Sequence, residues 1–111
     1  IPTYNVPLDY LNGGIDMARG WLMTGQKAKG KEYVEAIWKN ASQYLNYYLS
    51  LPNDLFLQAE HDCIRQIMIM QSICEAAGMV SPQLEKKYEK QLNNLYRLYH
   101  GRGGRMPEGN Q

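Results

Sequence analysis

Two apolar stripes separated by a three-residue turn constrain this chain more than any other feature of its sequence. Leu8, Leu11, Ile15, Ala18 and Leu22 follow one another in steps of three and four. After Thr24-Gly25-Gln26, the residues Val34, Ile37, Ala41, Leu45 and Tyr48 repeat that rhythm. Such steps place side chains on one face of an α-helix, so residues 15–49 read as a helical hairpin. Ala18 and Gly30 stand on either side of the turn, where two antiparallel helices joined by a short loop cross. A missing side chain at those positions lets the backbones approach.

The rest of the chain extends the same architecture. Residues 1–7 hold two prolines and no periodicity, and read as an extended lead-in to a first helix over about 7–24. Pro7 lies near its first turn, with Asn5 as a plausible cap and Asp9 near the positive end of the dipole. Gly13-Gly14 inside that helix costs roughly 1–2 kcal/mol of propensity. Close packing or a kink accounts for it, with a ligand near the exposed backbone as the sharper alternative. The second helix is expected over about 26–50, opening on Lys27, Lys29 and Lys31. Cations oppose the dipole there, so the cluster is either a solvated turn or a seat for a phosphate or carboxylate. Glu35 precedes Lys39 by one turn, the favourable order for an exposed pair.

A third helix is expected over about 54–77, capped by Asn53 or Asp54 and closed by Gly78. Its core line would be Leu57, Ile64, Ile67, Met68 and Cys74, widened by Met70 and Ile73. Ser81-Pro82 opens a fourth helix over about 82–100, because Ser as cap followed by Pro is a standard start. Leu84, Tyr88, Leu92, Leu95 and Tyr99 form its inner face, and Lys86, Lys87, Glu89 and Lys90 its outer one. Residues 101–111 hold four glycines, one proline and little to bury, a composition expected to stay disordered. The reading is an all-α domain over 1–100, built from two antiparallel hairpins as a tetratricopeptide-like stack or a small bundle.

At 111 residues, a single domain can bury roughly two-thirds of its unfolded surface. Twelve Lys and Arg against eleven Asp and Glu leave no broad field to attract nucleic acid. No apolar run approaches the ~20 residues that cross a bilayer. The chain opens on Ile1, which points to a piece of a longer polypeptide whose membrane spans or address signal would lie elsewhere. Nine Tyr against one Phe make its aromatic surface amphipathic. Three of the methionines, Met68, Met70 and Met79, suit an irregular core better than a metal or peptide groove.

Chemistry is hard to place on these residues. Glu60-His61-Asp62-Cys63 is the densest polar group, but neighbouring helical residues point about 100° apart and do not converge. A helical zinc site needs ligands at i and i+4, and four residues beyond His61 stands Arg65. His100 is the other histidine, beside the tail. Cys63 and Cys74 would be ~16 Å apart along one helix, too far for a disulfide, so both read as free core thiols. No metal ligand set, cofactor loop or nucleophile–base pair is expected.

Ala18, Trp21, Gly25, Gly30 and Val34 resemble a tetratricopeptide repeat, departing from it at Gly14 and Ile37. A broader resemblance rests on Val6-Pro7-Leu8-Asp9-Tyr10, Ala18-Arg19-Gly20-Trp21, Gly25-Gln26-Lys27-Ala28-Lys29-Gly30 and Leu45-Asn46-Tyr47-Tyr48-Leu49-Ser50-Leu51-Pro52. These runs are similar to the C-terminal domain of the protein O-mannosyltransferase-like multi-pass membrane proteins of Bacteroidetes. The resemblance implies a helical, non-catalytic appendage on the periplasmic face of the inner membrane, binding a protein, peptide or glycan partner. That family's catalytic acidic residues belong to its membrane portion, and no residue here inherits them. A free-standing peptide-binding scaffold is the alternative, and a small enzyme using His61 a lower one.

A partner would meet the first helix of each pair, which lines the concave side of repeat-like stacks. The expected contact residues are Asp16, Arg19 and Trp21 on the first helix, and Gln58, His61, Asp62 and Arg65 on the third. One aromatic among hydrogen-bonding groups suits a carbohydrate or an extended peptide. Tyr44, Tyr47, Tyr48 and Trp38 are expected to remain partly uncovered beside them.

Overall fold

The computed structural model describes residues 13–105. It is all-helical, with five helices among those residues: α1 (Gly14–Met23), α2 (Lys27–Leu49), α3 (Asn53–Gln58), α4 (Glu60–Val80) and α5 (Pro82–Gly101). The expectations for residues 1–12, including the lead-in, its cap and the stripe positions Leu8 and Leu11, lie outside the described residues.

The α1–α2 hairpin forms where the stripes placed it. At the end of α1 the chain closes a Schellman turn. Gln26 N–H reaches Trp21 O at 2.8 Å and Gly25 N–H reaches Leu22 O at 3.2 Å. Gly25 takes φ 84°, a left-handed conformation that only glycine adopts without cost. Thr24 Oγ1 adds bonds to the carbonyls of Gly20 and Trp21, each at 3.0 Å. Ala18 and Gly30 are both buried at the crossing. A Cβ on Gly30 would overlap Leu22 Cγ and lie 3.2 Å from the Ala18 carbonyl oxygen. Gly13-Gly14 is not a fault inside a helix: Gly13, at φ 71°, is the cap from which α1 starts.

The third expected helix differs from its sequence reading in three ways. It is divided at Ala59 into α3 and α4, it runs through Gly78 to Val80, and its core register is shifted. Phe56 is buried, whereas Leu57 is 60% and Met68 46% exposed. The buried line is Phe56, Ala59, Cys63, Ile67, Met70, Cys74 and Ala77, each three or four residues after the last. Gly78 does not stop the helix because its bare Cα faces Glu85, whose Oε2 would lie 2.9 Å from an added Cβ. Ser81 does stop it. Its backbone is extended and its Oγ accepts the Leu84 N–H at 3.1 Å, capping α5.

α4 is the central element, packing against α1, α2, α3 and α5. It therefore buries Ile64, Ile73 and Ala76 as well as the main line. α5 is joined to α2 by Trp38, which is buried rather than uncovered. Its ring stacks on Tyr88 at 4.0 Å and 4°, and its Nε1–H donates to Gln91 Oε1 at 2.9 Å. Lys86, Lys87, Glu89 and Lys90 face outward. Tyr44, Tyr47 and Tyr48 remain half-buried, in contact with one another.

Gly101 to Arg105, grouped by composition with a disordered tail, instead form a clasp. Arg102 donates to Leu49 O at 2.7 Å and to Asn53 Oδ1 at 2.8 Å, with its guanidinium 4.4 Å from the Phe56 ring centroid. Tyr99 O–H donates to Arg105 O at 2.7 Å, and Gly104 is pressed against the Tyr99 ring. Glycine content misled because one cation and one ring supply the anchoring that aliphatic side chains usually provide. Residues 106–111 lie outside the described part.

Candidate functional site

A cleft of about 380 Å³ opens where α1, α2 and α4 meet. Its floor is Ile37, Ala41 and Ile69, and Asp16, Asn40 and Gln66 stand among its polar walls. Stripe geometry produces this junction: Ile37 and Ala41 belong to the buried face of α2, and Asn40 sits one step off that face, at its edge. At one side Arg19 reaches across to α4 and pairs with Glu75 at 3.3 Å.

The cleft continues as a shallower groove along α4. Ile15, Ile69 and Ser72 line both, and the groove adds His61, Ile64, Arg65 and Met68. The seven residues anticipated from sequence are thus divided. Asp16 and Arg19 line the cleft, and His61 and Arg65 line the groove. Trp21, Gln58 and Asp62 line neither. Trp21 is half-buried, with its indole N–H buried and unpartnered among the described residues. Gln58 ends α3. The Asp62 charge is felt by Tyr48 on α2: the Tyr48 phenol is pushed up first by desolvation and then by that carboxylate.

Sequence reasoning missed Asn40, Gln66 and Ser72. Each is a polar residue directly beside a buried stripe position, Ala41, Ile67 and Ile73 respectively. That adjacency was the available signal, and it marks groups held at the rim of a core.

The chemical capacity of the described residues is limited. They contain no group of three or more His, Cys, Asp or Glu side chains placed to hold a metal ion. Cys63 and Cys74 are free and buried. Burial, reinforced by nearby carboxylates, pushes each thiol up to about 11, so neither is a thiolate near neutral pH and neither is an activated nucleophile. His61 is exposed on α4. No described helix is long and apolar enough to cross a membrane. No protein-family model, curated protein or solved structure matches the chain.

Proposed function

We propose that this chain is a non-catalytic helical interaction domain that takes a protein, peptide or glycan partner along the α1/α4 face. The observation that carries the reading is the continuous groove running from Asp16 at the cleft to His61 and Arg65. It combines an aliphatic floor with polar groups from three helices, the composition of a recognition site. Support for a tetratricopeptide-like stack comes from α4, the first helix of the second pair, which packs on both helices of the first hairpin. The resemblance to the mannosyltransferase-like membrane proteins supplies the setting: a C-terminal appendage on the periplasmic face of the inner membrane, beside the sites where lipid-linked sugars are used.

Amide shift mapping with acceptor peptides and glycans tests the binding reading. Perturbations are expected on α1 and α4, with Arg65 among them, and no glycosyl transfer by the isolated domain. Shifts confined to the outer surfaces of α2 and α5 would rule the face out. The setting has a separate test in the full-length reading frame, where many apolar segments of about 20 residues are expected upstream. A free-standing scaffold would lack them.

A further inference from the structure

Asp16, Asn40, Gln66 and Ser72 share the cleft, and none of their side chains makes a hydrogen bond or ion pair with another described residue. Asn40, Gln66 and Ser72 are also half-buried. Polar side chains held at a helix junction ordinarily bond to the protein or to water. Here three helices bring polar groups that reach solvent to one aliphatic floor.

Their chemistry narrows the ligand. A primary amide presents an N–H donor and a carbonyl acceptor side by side, the same pair that a backbone peptide unit presents. Asn40 on α2 and Gln66 on α4 are two such groups at one cleft. Among the described residues, no Trp, Tyr or Phe lines the cleft or the groove, so these residues offer a sugar ring no aromatic face to stack on. The length fits an extended chain: Ser72 and His61 are ~16 Å apart along α4, the span of about five residues at ~3.3 Å each. The ends differ in charge. Asp16 stands at the cleft and Arg65 in the groove, while Arg19 is already paired with Glu75.

Building on the proposed interaction role, we infer that the groove binds an extended peptide of about five residues. A cationic group lies toward Asp16, an aliphatic side chain over Ile37, Ala41 and Ile69, and a carboxylate toward Arg65. The two amides hold the peptide backbone, and the charged ends set its direction.

The test is selection from a random heptapeptide display library on the full 111-residue chain, followed by fluorescence anisotropy with the selected peptides. Those peptides should share the order basic, aliphatic, acidic. A double variant, Asn40→Ala with Gln66→Ala, should bind them roughly tenfold more weakly, as expected for two lost hydrogen bonds. Its melting temperature should stay near the parent's, because neither amide bonds to the protein. Arg65→Glu should weaken the same peptides and recover binding when their acidic residue is replaced by Lys. Peptides that bind parent and double variant equally would overturn the placement and leave the interaction role standing. Maltohexaose shifting the Asn40 and Gln66 amides while no peptide is selected would overturn the ligand class alone. If neither probe binds, both the inference and the interaction role fall.

Discussion

The tightest contact in the hairpin offers a sharp test of the packing, because two glycines one helix apart should respond with opposite signs. Gly20 lies on the exposed side of α1, and an added Cβ would meet nothing within 4 Å. Gly20→Ala should therefore gain only helix propensity, about 0.8–1 kcal/mol. Gly30 gains the same term, but its new methyl overlaps Leu22 Cγ and lies 2.6 Å from Leu22 Cδ2. Leu22 is 8% exposed and has little room to retreat. Backbone lies behind it too, since the Ala18 carbonyl oxygen would be 3.2 Å away. Overpacking of this kind costs about 1–3 kcal/mol, which cancels or outweighs the propensity gain.

Gly30→Ala should thus be about 1–3 kcal/mol less stable than Gly20→Ala. At ~4–8 °C per kcal/mol for a domain of this size, the two melting temperatures should differ by at least about 4 °C. Gly30→Leu should fall further. Calorimetry or circular dichroism reads the difference directly. The cause is tested by adding Leu22→Ala: with that side chain shortened, Gly30→Ala should become neutral or stabilising, a coupling that only neighbours show. Equal gains from Gly20→Ala and Gly30→Ala, with no coupling to Leu22, would refute the crossing.

Three further outcomes follow from other contacts. Arg102→Ala removes both hydrogen bonds to the junction of α2 and α3 and the cation over Phe56. It should cost about 1.5–3 kcal/mol, measured by urea unfolding, and Arg102→Lys should not restore the parent, since one ammonium cannot reproduce the fork. Ser81→Ala deletes the cap of α5 and should cost about 1 kcal/mol, read as a lower urea midpoint. Stability should fall as pH rises above about 8.5, where an ordinary thiol begins to ionise. Burial raises the Cys63 and Cys74 thiols to about 11 and the Tyr88 and Tyr99 phenols to about 12. The unfolded chain therefore loses these protons first, and the folded state is penalised as pH rises toward those values. A urea midpoint that rises between pH 9 and 11 would contradict this.

Much of the fold was legible because its strongest signals are local. Thr24-Gly25-Gln26 announces a turn, Ser81-Pro82 a helix start, and the stripes of α1, α2 and α5 keep strict three- and four-residue steps. α4 was read less well for a physical reason. A central helix is packed on several sides, so its apolar residues spread around the circumference, and no single face stands out in the sequence. Under that ambiguity Leu57 and Met68 looked as good as Phe56 and Met70. The break at Ala59 carries no glycine or proline of its own and left no local mark. The clasp was invisible for another reason: Arg102 is anchored by Leu49 and Asn53, about fifty residues earlier in the chain, and no periodicity records such a pairing.

The candidate site shows the same division between what repeats and what converges. Exposed polar residues on α1 and α4 can be found from a helical wheel, and Asp16, Arg19, His61 and Arg65 do line the cleft or its extension. A wheel treats each helix alone, however, and so it also selected Gln58 and Asp62, which lie on other sides of the assembled molecule. It overlooked Asn40 because only the first helix of each pair was expected to meet a partner. Yet Asn40 is half-buried beside Ile37 and Ala41, the α2 residues at the floor of the cleft. The cleft belongs to the meeting of three helices, with Asp16 from α1, Asn40 from α2 and Gln66 from α4, and no single wheel contains it.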